Sequence, residues 1–94
     1  MKKIIEIPEE MVNYLQRLAY ETDARSNLCA FMTRQGIKNE AFDDYHREYI
    51  EFYTKYELAK KQMEDDYIKP VIESNNFTWN LDFKTGQVSV DVLS

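Results

Sequence analysis

The stretch that decides the fold is Phe42–Tyr67, FDDYHREYIEFYTKYELAKKQMEDDY. Its apolar and aromatic residues recur at spacings of three and four, the period of one face of an α-helix. Asn39 before it is a good N-cap and Pro70 after it stops a helix, so we predict a helix over residues 40–69. The aromatic row of this helix comprises Phe42, Tyr45, Tyr49, Phe52, Tyr56, Ala59 and Met63.

The residues before this stretch predict an earlier, antiparallel helix over residues 8–35. Pro8 followed by Glu9 and Glu10 is typical of a helix start, because Pro fits the first turn and acids favour the positive helix end. Gly36 is a typical residue just beyond a helix. The apolar register of this helix is Met11, Leu15, Leu18, Thr22, Arg25, Cys29 and Met32. We expect most of the aromatic row to pack against this register.

The residues on either side of the two helices have the period of β-strands. Apolar and polar residues alternate over Phe77–Phe83 and again over Val88–Val92, with a turn between them, which predicts a β-hairpin over residues 77–93. An isolated hairpin is marginal in water, so the isoleucines of residues 2–7 are its natural third strand. We therefore predict one α+β domain over residues 1–94. In it, a long antiparallel two-helix hairpin packs on a small three-stranded antiparallel sheet, in the order β-α-α-β-β.

The composition argues against several classes of partner. A net charge of −5 opposes the phosphate neutralisation on which nucleic-acid binding depends, so we do not expect nucleic acid as a partner. The apolar stretch near the N-terminus is too short for a signal peptide, and no run approaches the roughly 20 apolar residues of a membrane span. We expect no membrane partner and a cytoplasmic location in a bacterial host, or the virion if the protein is a phage structural component.

Two residues with reactive side chains, Cys29 and His46, are each the only one of their type. We interpret Cys29 as a small core residue; as a nucleophile it would need a base, and His46 is the only imidazole. Asp43 before His46 resembles half of a carboxylate–histidine metal motif, but such sites need further ligands. A lone cysteine also excludes an internal disulfide and a multi-cysteine zinc site. We predict no enzyme activity, no metal and no cofactor.

Aromatic residues supply the candidate interaction surface. The helices extend about 45 Å, whereas the strands span only about 20 Å, so the far half of the helical hairpin protrudes or is covered by another chain. Tyr20, Ala24 and Phe31 form a second apolar face on the first helix, opposite its main register. The residues that we predict to contact a protein partner, either a second copy or another protein, are Tyr20, Phe31, Tyr45, Tyr49 and Tyr53. The alternative is that Tyr20 and Phe31 are ordinary half-exposed aromatics.

Polar residues at two places in the helices have both a structural and a functional interpretation. Arg25 interrupts the apolar register, where it can pair with a carboxylate of the second helix and fix the register; alternatively, it receives a carboxylate from a partner. Glu64, Asp65 and Asp66 lie at the negative end of the second helix, with only Lys69 as local compensation. We interpret these three acids as a solvated face or as a docking surface for a basic partner.

Two resemblances rest on these motifs. The stretch IIEIPEEMVNYLQRLAYE, residues 4–21, resembles the strand and Pro-initiated helix of ribbon-helix-helix repressors, which implies DNA binding; the likeness ends near residue 24, where the helical register continues without a break. The whole chain, through IEIPEE, the aromatic second helix and the closing WNLDF, is similar to small helical-hairpin proteins of phages and prophages of Gram-positive bacteria. That resemblance implies a structural or assembly accessory, or an inhibitor of a host defence, without catalytic residues.

The function that these patterns favour is that of a non-catalytic protein–protein interaction or assembly protein that forms a homo-oligomer through coiled-coil-like helix faces. The alternative is a phage-encoded inhibitor of a host defence nuclease, which binds a basic channel through its acidic residues. A minor alternative is a ribbon-helix-helix-like DNA-binding regulator. Salt-sensitive binding to a basic protein would favour the inhibitor over the assembly protein.

Overall fold

The structure, a computed structural model, describes residues 2–93. In chain order it contains β1 (Lys2–Glu6), α1 (Glu9–Arg34), α2 (Glu40–Met63), a π-helical turn (Glu64–Ile68), β2 (Phe77–Asp82) and β3 (Gln87–Val92). The predicted α+β class and the order β-α-α-β-β are confirmed. The chain forms two compact units, which we call the sheet unit (Met1–Gln16 with Ala59–Ser94) and the hairpin unit (Arg17–Leu58). The single domain and the protruding arm that we expected stay predictions.

The sheet is antiparallel, and β3 is its central strand in the order β1-β3-β2. The alternation of side chains along a strand decides which residues face inward: Val88 and Val90 are completely buried, while Ser89 between them is not. Ile5 of β1 is the partner of Val88, and Trp79 of β2 is the partner of Val90, so all three strands contribute to one apolar face. The N-terminal isoleucines do supply the third strand.

The sheet unit holds most of the buried apolar residues that the structure describes. Its helical segments contribute Leu15 and Met63, both essentially inaccessible, and Trp79 of the sheet reaches the helical side through a hydrogen bond to Glu64. Each apolar side chain of this size stabilises the fold by about 1.5–3 kcal/mol when it is buried. The buried apolar residues of the sheet unit are Ile7, Val12, Leu15, Ala59, Met63, Ile68, Ile72, Val88 and Val90.

The end of the second helix differs from the prediction. We expected an α-helix to residue 69, but α2 ends at Met63 and continues as a π-helical turn, closed by the N–H of Lys69 donating to the carbonyl of Glu64 at 2.8 Å. Met63 and Ile68 supply the reason, because both are fully buried. In an α-helix two residues five apart point about 140° away from each other. The wider π-helical turn allows both side chains to reach the core.

At the connection between the two helices of the hairpin unit, hydrogen bonds cap the end of α1 and the start of α2. Gly36 adopts φ +71°, the N–H of Ile37 donates to the carbonyl of Met32, and the N–H of Gly36 donates to Thr33. This is the Schellman arrangement, which needs a residue that tolerates a positive φ. On the other side, Asn39 Oδ1 accepts the N–H of Phe42 at 3.2 Å, as expected of the N-cap of α2.

Candidate interaction surfaces

The fully buried side chains of the hairpin unit are few, and all of them come from one helix. Its buried residues all belong to the predicted register of α1, and they are Leu18, Thr22, Cys29 and Met32. No side chain among residues 40–58 of α2 is buried. We expected most of the aromatic row to be consumed by packing on α1; among its first five members Tyr45 is exposed, whereas Phe42, Tyr49, Phe52 and Tyr56 are half-buried. Only the last two, Ala59 and Met63, are buried, and both lie in the sheet unit.

The two helices of the hairpin unit are joined by the Arg25 cluster, which consists of Glu21, Arg25, Glu48 and Phe52. Arg25 Nε donates to Glu48 Oε1 at 2.8 Å, and a second guanidinium nitrogen lies 2.7 Å from the same oxygen. The third nitrogen donates to the carboxylate and to the backbone carbonyl of Glu21. The guanidinium also lies 3.9 Å from the ring centroid of Phe52, in cation–π range. Because all three nitrogens are engaged, Arg25 serves the register of the helix pair rather than a partner's carboxylate.

The two polar residues in the register of α1, Arg25 and Thr22, differ in whether their polar groups have hydrogen-bond partners. The hydrogen bond with Glu21 is the largest cause of the raised pKa of Arg25; Glu48 raises it further, while burial acts in the opposite direction. Arg25 is therefore held in its charged form by its neighbours. Thr22, one turn earlier, is buried, and its hydroxyl has no hydrogen-bond partner among residues 2–93. A buried hydroxyl without a partner destabilises the fold.

The hairpin unit exposes more large apolar side chains than it buries. Four of the five aromatic residues predicted to contact a partner are exposed, and the fifth, Tyr49, is half-buried. Scattered apolar residues at a surface are ordinary, but here they accompany a core to which α2 contributes half-buried side chains and no fully buried one. The exposed large apolar residues of the unit are Tyr20, Leu28, Phe31, Tyr45, Ile50, Tyr53 and Leu58.

One set of exposed residues follows the helical spacing along α1. We call it the α1 outer face, and it consists of Arg17, Tyr20, Ala24, Asn27, Phe31 and Arg34. Tyr20 is 71% exposed and Phe31 is 50% exposed, and every other member is exposed as well. Spacings of three and four place the set on one side of the helix. This surface is therefore aromatic in its middle and positively charged at both ends.

A second set forms a ladder of rings along α2. The ring centroids of Phe42 and His46 are 5.9 Å apart with an interplanar angle of 21°, those of His46 and Tyr49 are 6.3 Å apart, and those of Tyr49 and Tyr53 are 6.0 Å apart. These distances lie in the range of favourable ring pairs. Phe42 also lines an open groove of about 460 Å³ at the helix connection. Contacts between neighbouring rings favour particular rotamers, and a side chain that is already ordered loses less entropy when a partner binds.

The acidic segment, Glu64–Asp66, is largely engaged by its own chain. The indole N–H of Trp79 donates to Glu64 Oε1 at 2.5 Å. Asp65 lies 2.9 Å from the ammonium of Lys69 and 3.5 Å from that of Lys61, so Lys69 is not its only compensation. The hydrogen bond from Lys69 is the main cause of the lowered pKa of Asp65. Two of the three carboxylates thus have partners within the chain, so they are less available to bind a basic protein.

The two reactive residues lie in contrasting surroundings. Cys29 is buried, and its carbonyl accepts the hydroxyl of Thr33 at 2.9 Å. His46 is exposed within the ring ladder. Among residues 2–93, no three His, Cys, Asp or Glu side chains are grouped so that they could hold a metal ion. In the same range, no helix is both long enough and apolar enough to cross a membrane.

Sequence reasoning missed several residues of these surfaces. Ile50 and Leu58 lie outside the aromatic row, yet both are exposed apolar residues of α2. The bond between Trp79 and Glu64 joins residues 15 apart, and the only signal was the general need of a half-buried indole for an acceptor. The second carboxylate of the Arg25 cluster, Glu21, was visible as an acid four residues before Arg25 on the same helix face.

Comparisons with protein-family models, with curated proteins and with solved structures find no match for this chain.

Proposed function

We propose that this protein is a non-catalytic interaction or assembly protein that works as a homo-oligomer through its helical hairpin, in keeping with a structural accessory of a phage or prophage. The observation that carries the proposal is the imbalance of the hairpin unit. Its only buried apolar residues are Leu18, Cys29 and Met32, against seven exposed large apolar residues. A pair of helices with so small a core gains stability when a further helical layer covers its open faces.

The chemistry of the exposed residues suits protein contacts. Tyrosine and phenylalanine bury a large area and lose few rotamers on binding, which makes them effective anchors at interfaces. Tyr53, for example, is 45% exposed although its ring is already positioned by Tyr49. The Arg25 cluster adds to this by holding α1 and α2 together, so the aromatic residues are presented on a preformed surface.

Static light scattering tests the proposal over protein concentrations from one to one hundred micromolar. We expect a mass above that of the 11.3 kDa chain at tens of micromolar. A joint Tyr20→Ser, Tyr53→Ser variant should shift the protein towards the monomer or abolish capture of a protein partner. Lys38→Ser, which changes an exposed residue of the helix connection, serves as the control. A strict monomer at one hundred micromolar that also recovers no protein partner from a host lysate would contradict the proposal.

A further inference from the structure

We propose that a second copy of this chain docks on one stripe of α2, with the two α2 helices antiparallel about a twofold axis between Glu51 and Phe52. The inference rests on the proposed function and specifies which face serves self-association. We call this surface the α2 stripe, and it consists of His46, Ile50, Tyr53 and Glu57. The spacings of four, three and four place these residues along one side of the helix.

The α2 stripe is exposed and points away from α1. Ile50 is 46% exposed, Tyr53 is 45% exposed, and the two residues at the ends of the stripe are exposed as well. The side of α2 that meets α1 is marked by Glu48 and Phe52, which contact Arg25. At 3.6 residues per turn, the stripe lies about 150° around the helix from that side. A second copy can therefore approach without disturbing the Arg25 cluster.

The stripe matches itself when one copy is turned about the proposed axis. Ile50 then faces Tyr53 of the second copy, and Tyr53 faces its Ile50, which gives an apolar centre. His46 faces Glu57 of the second copy at each end, so a donor meets a carboxylate. An apolar centre with a polar rim is the ordinary composition of a protein interface. A surface that pairs with itself in this way is what a twofold dimer requires.

The alternative arrangements lack this match. In a parallel pair, Glu57 would face Glu57 of the second copy, and like charges in that position are unfavourable. If the α1 outer face paired with itself so that Tyr20 met Phe31, then Arg17 would meet Arg34 twice. The match of donor with acceptor and the absence of facing like charges therefore assign the second copy to the α2 stripe, and the α1 outer face, with a positive charge at each end, is left open.

Sedimentation equilibrium of three full-length charge variants tests this arrangement. His46→Glu places two carboxylates opposite each other at both ends of the interface, and Glu57→Lys removes both acceptors. Each single variant should weaken the dimer by about tenfold, since two partly exposed pairs change from attraction to repulsion or loss. The double variant His46→Glu, Glu57→Lys places opposite charges face to face only in the antiparallel register, so its dissociation constant should return to within about threefold of wild type.

Two controls separate this inference from changes in folding and from the proposed function. Thermal unfolding at a concentration below the dissociation constant reports whether the charge changes alter the monomer, including the ring contact of His46 with Phe42. Phe31→Ala on the α1 outer face should leave the dimer constant within about twofold. A dimer whose double variant is as weak as the single variants, or that is weakened only by Phe31→Ala, would overturn the α2 stripe while leaving self-association intact. A monomeric wild type would instead remove the self-association on which this inference rests, and if it also recovered no protein partner it would contradict the proposed function itself.

Discussion

Replacing Arg25 by methionine removes a charged group that contacts the carboxylates of Glu21 and Glu48 and the ring of Phe52, and so links the two helices of the hairpin unit. Methionine replaces the apolar stem of the side chain and ends near the position of Nε, so the change removes chiefly the guanidinium. Arg25 is 22% exposed, which places it between a surface ion pair and a buried one.

The expected loss is about 2 kcal/mol of unfolding free energy. Two partly exposed ion pairs contribute about 0.2–1 kcal/mol each, and a cation over a ring contributes about 0.5–1 kcal/mol or more when it is partly desolvated. The variant also leaves Glu48 and Glu21 without their shared cation, which adds to the loss. For a chain of this size, a change of 2 kcal/mol corresponds to a melting temperature lower by about 8–16 °C.

Urea unfolding followed by circular dichroism measures this loss, with wild type and variant at the same concentration because self-association would add to apparent stability. Arg47→Met is the matched control. Arg47 is 78% exposed and lies 3.3 Å from Asp44 within one helix, so its replacement should cost less than about 0.5 kcal/mol. The reasoning would be refuted if the two variants were equally stable, or if Arg25→Met were more stable than wild type, as happens when a costly buried ion pair is replaced by an apolar residue.

Three further changes test other contacts. Thr22→Val removes a buried hydroxyl without a partner and should raise the unfolding free energy by about 1 kcal/mol, whereas Thr33→Val should change it by less than about 0.5 kcal/mol; urea midpoints that move equally would contradict this. Trp79→Phe removes the indole hydrogen bond to the acidic segment and should lower the unfolding free energy by about 1–2 kcal/mol; a loss below 0.5 kcal/mol by the same assay would show the bond to be unimportant. Asp65 has a lowered pKa, so its contribution is present above its unfolded pKa and is lost as the pH falls through the folded value. The stability difference between wild type and Asp65→Asn should therefore shrink as the pH falls from about 5 to about 2, and a difference that stays constant over this range would contradict the prediction.

The fold could be predicted from the sequence because the periodicity of apolar residues and the cap residues agreed with one another. The period of two over Phe77–Phe83, the period of three and four over the two helices, and the cap residues Asn39 and Gly36 each indicated the element that the structure contains. The π-helical turn was not accessible, because it depends on Met63 and Ile68 both being buried in the sheet unit. The burial of both side chains is decided by tertiary packing and not by the local sequence pattern.

The surfaces were predicted less completely than the fold. Tyr20 and Phe31 followed from a helical wheel, since they lie opposite the register of α1. The same reasoning placed the aromatic row of α2 in the core, although Tyr45 is exposed. Aromatic spacing alone does not distinguish a buried row from an exposed one, because a tyrosine tolerates both surroundings. The burial of the row depends on how the side chains of α1 and α2 pack together, and the spacing of the aromatic residues does not specify that packing.

The most direct test of the central claim is sedimentation equilibrium of the wild-type chain across concentrations from one to one hundred micromolar. We expect a reversible rise from the mass of one 11.3 kDa chain to that of two, because a second copy covers the open face of α2. A single mass of one chain across the whole range would contradict it.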